Sequence, residues 1–229
     1  MTRKIIITGS EGLVGKELCN FFKNESIFKL DIKLGHDLTN ETFVKKWFKK
    51  NHADYLVNCF AMNDHITKTR KKNTLFDISL NSFSKYLEVN LTSLFSVCRE
   101  FARNNNKGAI VNFSSTYGIV SPKPDLYSGS NKDIGYGISK AGVINMTKYL
   151  AAHLSPKIRV NCVVPGWIIT ERQKKLWLTP EIEKQQLERQ CIKRMLEPND
   201  IAKPVLFFAS DQSLGCTAQN YVVDGGVVN

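Results

Sequence analysis

The sequence has no apolar run that approaches the length of a membrane span. Its basic start, MTRKIII, carries only three isoleucines before Thr8 and Gly9, too few for the apolar core of a secretory leader. Six cysteines, at positions 19, 59, 98, 162, 191 and 216, show no metal-ligand spacing, and most sit in apolar runs. That pattern points to buried free thiols rather than disulfides, and to no metal centre. Repeats, low-complexity tracts and linkers are also missing. These absences favour a cytoplasmic protein built as one domain over residues 1–229. Arginine is scarce beside lysine, and the net charge of +11 is spread over stretches such as KKWFKK and RQKK. No basic platform interleaved with aromatics appears, so a nucleic-acid partner is not expected. An anionic cofactor and substrate account for the charge more economically.

Strand-like and helix-like segments alternate along the chain. Strands are expected at 4–8, 27–31, 54–61, 108–115, 158–165 and 220–226. Helices are expected at 12–24, after Asn40, and at 79–105, 136–154, 180–194 and 198–209. Such alternation predicts an α/β fold, with helices on both faces of a doubly wound parallel sheet. Only five residues separate Asp31 from Asp37. A parallel crossover needs about a dozen or more. Either the crossover helix after the second strand is missing or the third strand is vestigial, and a truncated sheet edge is expected there.

At the end of the first strand, IIITGSEGLVG places Gly9, Gly12 and Gly15 in a strand-to-helix turn with Ser10, Leu13 and Val14. Glycines allow a tight turn and a close approach of backbone to a pyrophosphate resting on the helix N-terminus. Asp31, ending the second strand, is placed to accept from ribose hydroxyls. A carboxylate there repels a 2′-phosphate and favours NAD over NADP, although Lys33 nearby softens that preference. Further on, DIGYGISKAG sets Tyr136 and Lys140 four residues apart, on one helix face. A lysine held beside a phenol is expected to lower its pKa and to make it an acid/base group.

These stretches, with HDLT, LVNCFA, VNLTS, IVNFSSTYG, YGISK, IRVNCVVPGWIIT and VVDGG in that order, resemble the short-chain dehydrogenase/reductase family over nearly the whole chain. The resemblance implies a single-domain Rossmann fold and hydride transfer between a nicotinamide and an alcohol or ketone carbon. It implies Tyr136 as acid/base and Lys140 as its partner on the nicotinamide ribose. Ser115 would hydrogen-bond the reacting oxygen, and Asn90 would kink its helix and hold a water of the proton relay. Asp37 and Leu38 would lie at the adenine, and Asn58 and Ala61 beside its ribose. Pro165, Gly166, Ile168 and Thr170 would flank the nicotinamide. A homodimer or homotetramer is implied through the helices at 79–105 and 136–154.

Four departures from the family pattern stand out. The Gly9-x-x-Gly12 spacing belongs to the extended, sugar-nucleotide branch. NCFA replaces Asn-Asn-Ala-Gly. Ser115 and Tyr136 lie 21 positions apart, more than the family norm. The β2–β3 crossover is truncated. Tyr117 and Tyr127 rival Tyr136, but neither has a lysine four positions later, and they read as pocket or packing residues. Ser114 rivals Ser115; if the strand continues through both, they face opposite ways. His36 and His65 read as loop or surface residues.

The Ser115–Tyr136 region also resembles members of bacterial surface-sugar pathways and gluconate 5-dehydrogenase-type members. Segment 167–195, rich in Arg, Lys and Gln with Trp167 and Trp177, reads as a substrate lid suited to a sugar or nucleotide-sugar. The expected function is therefore an NAD(P)-dependent oxidoreductase on a sugar-derived alcohol or ketone in carbohydrate or surface-glycan biosynthesis. An epimerase or dehydratase on a nucleotide-sugar, or a catalytically silent cofactor-binding regulator, are the alternatives.

Overall fold

The computed structural model describes residues 2–64, 74–123, 132–176 and 178–228, apart from the side chains of Arg172 and Leu176. Tyr127, His65, Trp177 and most of the insertion before Tyr136 lie outside the described residues.

Six parallel strands form one sheet: β1 (Lys4–Thr8), β2 (Ser26–Leu30), β3 (Tyr55–Asn58), β4 (Gly108–Phe113), β5 (Ile158–Pro165) and β6 (Asn220–Val223). Their spatial order is β2-β1-β3-β4-β5-β6. Side chains alternate across the sheet, so the odd and even residues of each strand feed different cores. Ile6, Leu56, Ile110 and Val160 pack beneath α2 (Glu41–Lys50), α4 (Ser93–Asn104) and α5 (Ile134–Leu154). Ile5, Ile7, Val57, Val111 and Val163 face α1 (Leu13–Phe21) and α8 (Pro198–Phe208). Strands buried on both faces read as continuous apolar runs, as KIIIT does here.

The expected truncated edge takes the form of a lost third strand. After β2 the chain makes a short 3-10 turn at Ile32–Leu34 and proceeds to α2, which crosses back to β3 beside β1. Asn40 caps α2, its Oδ1 accepting from Phe43 N at 3.0 Å. β2 is left as the edge, and Asp31 stands just beyond it.

Other boundaries differ from expectation. The helix expected over 79–105 is α3 (Leu80–Leu87) and α4, joined by a π turn at Glu88–Thr92. One extra residue in that turn widens the helix at Asn90. β4 stops at Phe113, so Ser114 and Ser115 belong to the loop and not to a strand. The helix expected over 180–194 ends at Glu188, as α7 (Pro180–Glu188), behind the short α6 (Glu171–Leu176). Among the described residues no cysteine forms a disulfide; Cys98 and Cys162 are buried, while Cys191 is exposed and donates to Gly226 O at 3.4 Å. Among the described residues, no helix is long and apolar enough to cross a membrane.

Candidate active site

The sheet order reverses between β1 and β3, and a crevice opens at the carboxyl ends of strands on either side of such a switch. β1 delivers the glycine turn to this place and β3 delivers residues 59–64. Gly9 has φ +66°, and a Cβ there would stand 2.5 Å from Phe60 N. At Gly15 a Cβ would stand 2.2 Å from Gly9 O, so the turn folds directly onto the first turn of α1. Phe60, the bulky departure in NCFA, turns partly into the core and leaves its backbone against Gly9. Ser10 is buried, and its Oγ has no hydrogen-bond partner among the described residues. A buried hydroxyl without a partner carries a desolvation cost that a bound polar group relieves.

Asp31 is buried and fastens this turn to the edge of the sheet. Its Oδ2 accepts from Glu11 N and its Oδ1 from Lys33 N, each at 2.9 Å. His36 stacks on Phe43 and accepts from Asp31 N at 3.4 Å. Asp37 is exposed, and its carboxylate accepts from Thr39 N and Oγ1, which holds its pKa below the usual range. Leu38 turns into the core instead of the crevice.

Asn58 also departs from expectation. Its side chain lies inside the protein, accepting from Thr8 Oγ1 at 3.1 Å and donating to Asn112 Oδ1 at 3.0 Å. Asn112 in turn donates to Thr147 Oγ1 on α5 at 3.1 Å. This polar row runs across three strands into a helix, and only the backbone of Asn58 is left near the crevice. Ala61, three residues on, is exposed.

Farther along the same edge, Ser115, Tyr136 and Lys140 converge, all buried. Ser115 stands beside the Tyr136 hydroxyl, near enough to act on its ionisation. Its Oγ accepts from Tyr117 N at 3.2 Å, closing a 3-10 turn at Thr116–Gly118. Ser114 points elsewhere, donating to Lys140 O at 2.8 Å. Lys140 Nζ donates to Phe113 O at 2.9 Å and lies 5.9 Å from the Tyr136 ring centroid.

The electrostatics correct one expectation. Burial pushes Tyr136 up to about 12, against a lowering by the neighbouring Ser115, and Tyr117 raises it further. Burial also lowers Lys140 to about 8, because its charge is costly where it stands. The lysine is directed at a main-chain carbonyl rather than at the phenol, so spacing alone did not deliver the expected lowering.

Asn90 stands in the π turn, facing α5. It accepts from Met62 N at 2.7 Å and donates to Met62 O at 3.0 Å and to Ser139 Oγ at 3.1 Å. Both amide hydrogens are thus spent on protein groups. After β5, Gly166 N donates to Val223 O at 2.9 Å, and Ile168 forms a bridge with Leu196. Thr170 caps α6, its Oγ1 accepting from Gln173 N at 3.0 Å.

Two residues here were missed or undervalued in the sequence. Tyr117 accepts at its hydroxyl from Trp167 Nε1 at 3.0 Å, joining the β4 and β5 loops across the site. Lys132 lies with its Nζ 4.7 Å from the Tyr136 ring centroid. Its signal was available: it precedes Tyr136 by the same four positions by which Lys140 follows. A cavity of about 590 Å³ opens alongside, with Tyr117, Ile119, Lys132 and Ile138 in its walls.

Residues 16–228 match the family model described as enoyl-(acyl carrier protein) reductase. The probable galactose dehydrogenase GalD of Rhizobium meliloti is 42% identical over 176 residues, 75% of this chain and 63% of that protein. This chain therefore covers less than two thirds of GalD. D-xylose 1-dehydrogenase of Caulobacter vibrioides is 34% identical over 83% of this chain and 72% of its own length. A short-chain dehydrogenase of Leptospira borgpetersenii, solved with bound NAD+, superposes with a TM-score of 0.85 at 26% identity, covering 100% of this chain and 94% of the other. A 4-hydroxyisoleucine dehydrogenase complexed with NADH gives 0.84 at 25% identity, with 99% of both chains covered. With the sheet order, the glycine turn and the Ser115–Tyr136 contact, these matches place the chain in the short-chain dehydrogenase/reductase family of oxidoreductases.

Proposed function

We propose that the protein is an NAD(P)-dependent oxidoreductase acting at a CH–OH carbon of a sugar-derived substrate, with NAD as the preferred cofactor. The observation that carries this is the convergence of buried Ser115, Tyr136 and Lys140 at the carboxyl edge of the sheet, Lys140 one helical turn on from Tyr136 and 5.9 Å from its ring centroid. The cofactor's fit rests on the turn at Gly9 and Gly15, which a Cβ would block, and on the unpartnered Ser10 Oγ. Gly9, Ser10, Gly12, Leu13, Val14 and Gly15 would hold the pyrophosphate, and Asp31 the adenine ribose. Pro165, Gly166, Ile168 and Thr170 would flank the nicotinamide. When bound, the nicotinamide supplies the hydride-accepting or hydride-donating carbon.

The chain's own residues handle the proton and the orientation. Ser115 donates to the substrate oxygen and fixes it beside Tyr136. In the oxidising direction Tyr136, as phenolate, takes the hydroxyl proton; in the reducing direction its hydroxyl returns one. Lys140 supplies the positive charge that an ionised phenol requires in a buried setting. Asn90 holds the 59–64 segment and α5 in register. The link from Trp167 to Tyr117 and the bridge from Ile168 to Leu196 anchor the two ends of segment 167–195 as a cover for the substrate.

The sugar-dehydrogenase relatives support a sugar as the substrate. A place in surface-glycan biosynthesis is the finer form of the same proposal. Exposed Phe95 on α4 and Tyr149 on α5 suit the homo-oligomer that goes with it. The test is oxidation of D-galactose, D-xylose and nucleotide-sugars with NAD+ and with NADP+, in wild type and Tyr136→Phe. A substrate turned over with NAD+, and lost by about 10²-fold or more in the variant, is the expected result. Cofactor binding with no turnover across the panel would move the silent-regulator reading to first place.

A further inference from the structure

We propose that Lys132 is a positioning residue for Tyr136, its ammonium held over the ring face so as to favour the ionised phenol. This rests on the reading of Tyr136 as acid/base.

Lysines stand four positions before and four positions after this tyrosine. The one that follows is buried and fixed to Phe113 O; the one that precedes comes closer to the ring centroid, at 4.7 Å against 5.9 Å. Lys132 is not placed there by its helix, because α5 begins at Ile134. It is held from the other side of the crevice: Nζ donates to Asn63 Oδ1, and to Asp64 O at 2.7 Å. Asp64 N donates to the Tyr86 hydroxyl at 3.2 Å, and the Tyr86 ring meets Tyr136 edge-on with centroids 6.3 Å apart. Lys132, Asp64 and Tyr86 therefore form a bracket around the ring, tied to the segment that continues from β3.

Among the described residues, the other charged, polar and titratable groups near the ring include Asp64, Tyr86, Asp133, Ser115, Tyr117 and Lys140. Asp133 has its carboxylate engaged by Ser82 Oγ at 2.7 Å and Gly135 N at 2.8 Å. Asp64 presents its backbone to Lys132, and both its backbone and its carboxylate to Tyr86, where burial, and then the carboxylate, disfavour ionisation of that phenol. Ser115 and Tyr117 stand at the phenolic oxygen, and Lys140 approaches from α5 with Cys59 and Cys162 beside it. A cation over an aromatic face is attracted by the ring quadrupole, and more strongly once the ring carries negative charge. Burial works in the opposite direction on this phenol, so a second cation addresses the difficulty that Lys140 leaves.

The test uses full-length protein with a fluorinated tyrosine incorporated at position 136. Its lower intrinsic pKa brings ionisation into a range the fold withstands, and its ¹⁹F signal is titrated by NMR. Lys132→Met is expected to weaken ionisation by about three- to tenfold, and Lys132→Arg to restore the wild-type curve. Thermal melts of both variants verify folding. A Lys132→Met curve that overlays wild type would overturn the proposal. So would loss of the shift in both variants alike, since a cation at either head group should serve. The reading of Tyr136 itself stands or falls separately, on turnover by Tyr136→Phe.

Discussion

Asn90 and Met62 meet at two points, the Asn90 carboxamide accepting from Met62 N at 2.7 Å and donating to Met62 O at 3.0 Å. A side chain thereby does for one residue what a neighbouring strand does for a ladder. The π turn supplies the geometry, presenting Asn90 toward α5 and the 59–64 segment together.

Asn90→Ala strips both partners from the Met62 backbone and one from Ser139. Unpaired buried groups of this kind cost about 1–3 kcal/mol. The expected outcome is a lower melting temperature by calorimetry, together with weaker NADH binding as the segment loosens. An unchanged melting curve would show that Met62 finds other partners.

Gly9→Ala tests the turn. The left-handed backbone alone costs an alanine about 1–2 kcal/mol. The added methyl also collides with backbone at Phe60 and Cys59, which cannot swing away. NADH affinity, followed by fluorescence titration, is expected to fall by roughly tenfold or more. Gly12→Ala is the control: its nearest atom would be Gly9 O at 3.1 Å, and the loss is expected to be smaller.

Arg194 grips Asp200 with two hydrogen bonds, of 2.6 and 2.7 Å, and Glu197 N adds a third at 2.9 Å. The guanidinium holds the Asp200 carboxyl down at about 2. The unfolded value is about 3.9. A carboxyl depressed on folding stabilises the fold above its unfolded pKa and loses that contribution as pH falls through the folded one. The melting temperature of Asp200→Asn should therefore change less than that of wild type between about pH 4 and pH 2. Parallel acid limbs would contradict this.

Much of the fold was legible because the signals were local. The strand-glycine-helix pattern around Gly9 needs only chain sterics. The short spacing from Asp31 to Asp37 announced a truncated edge, although not that a strand rather than a helix would be missing. The candidate site was less legible where tertiary surroundings decide. Tyr136 and Lys140 were visible as a pair, but the direction of the phenol's shift depends on burial, and Lys140 is directed at the carbonyl of Phe113. Leu38 and Asn58 looked like ligand contacts, yet both side chains point into the protein. Lys132 had the right spacing but no helix around it, and its approach to Tyr136 depends on Asn63 and Asp64.

The polar row through Thr8, Asn58 and Asn112 has a meaning for how the chain finds its fold. These residues are register partners across β1, β3 and β4. A one-residue slip would set Asn58 against Ile7 or Val111 and bring its amide to the opposite, aliphatic face. Aliphatic strands by themselves discriminate poorly among such slips. An amide stranded in hydrocarbon does discriminate, because each mispaired sheet would bury hydrogen-bonding groups with nothing to bind. The row works as an alignment key: it separates the correct threading of the central strands from its near neighbours before the crevice is built on their ends.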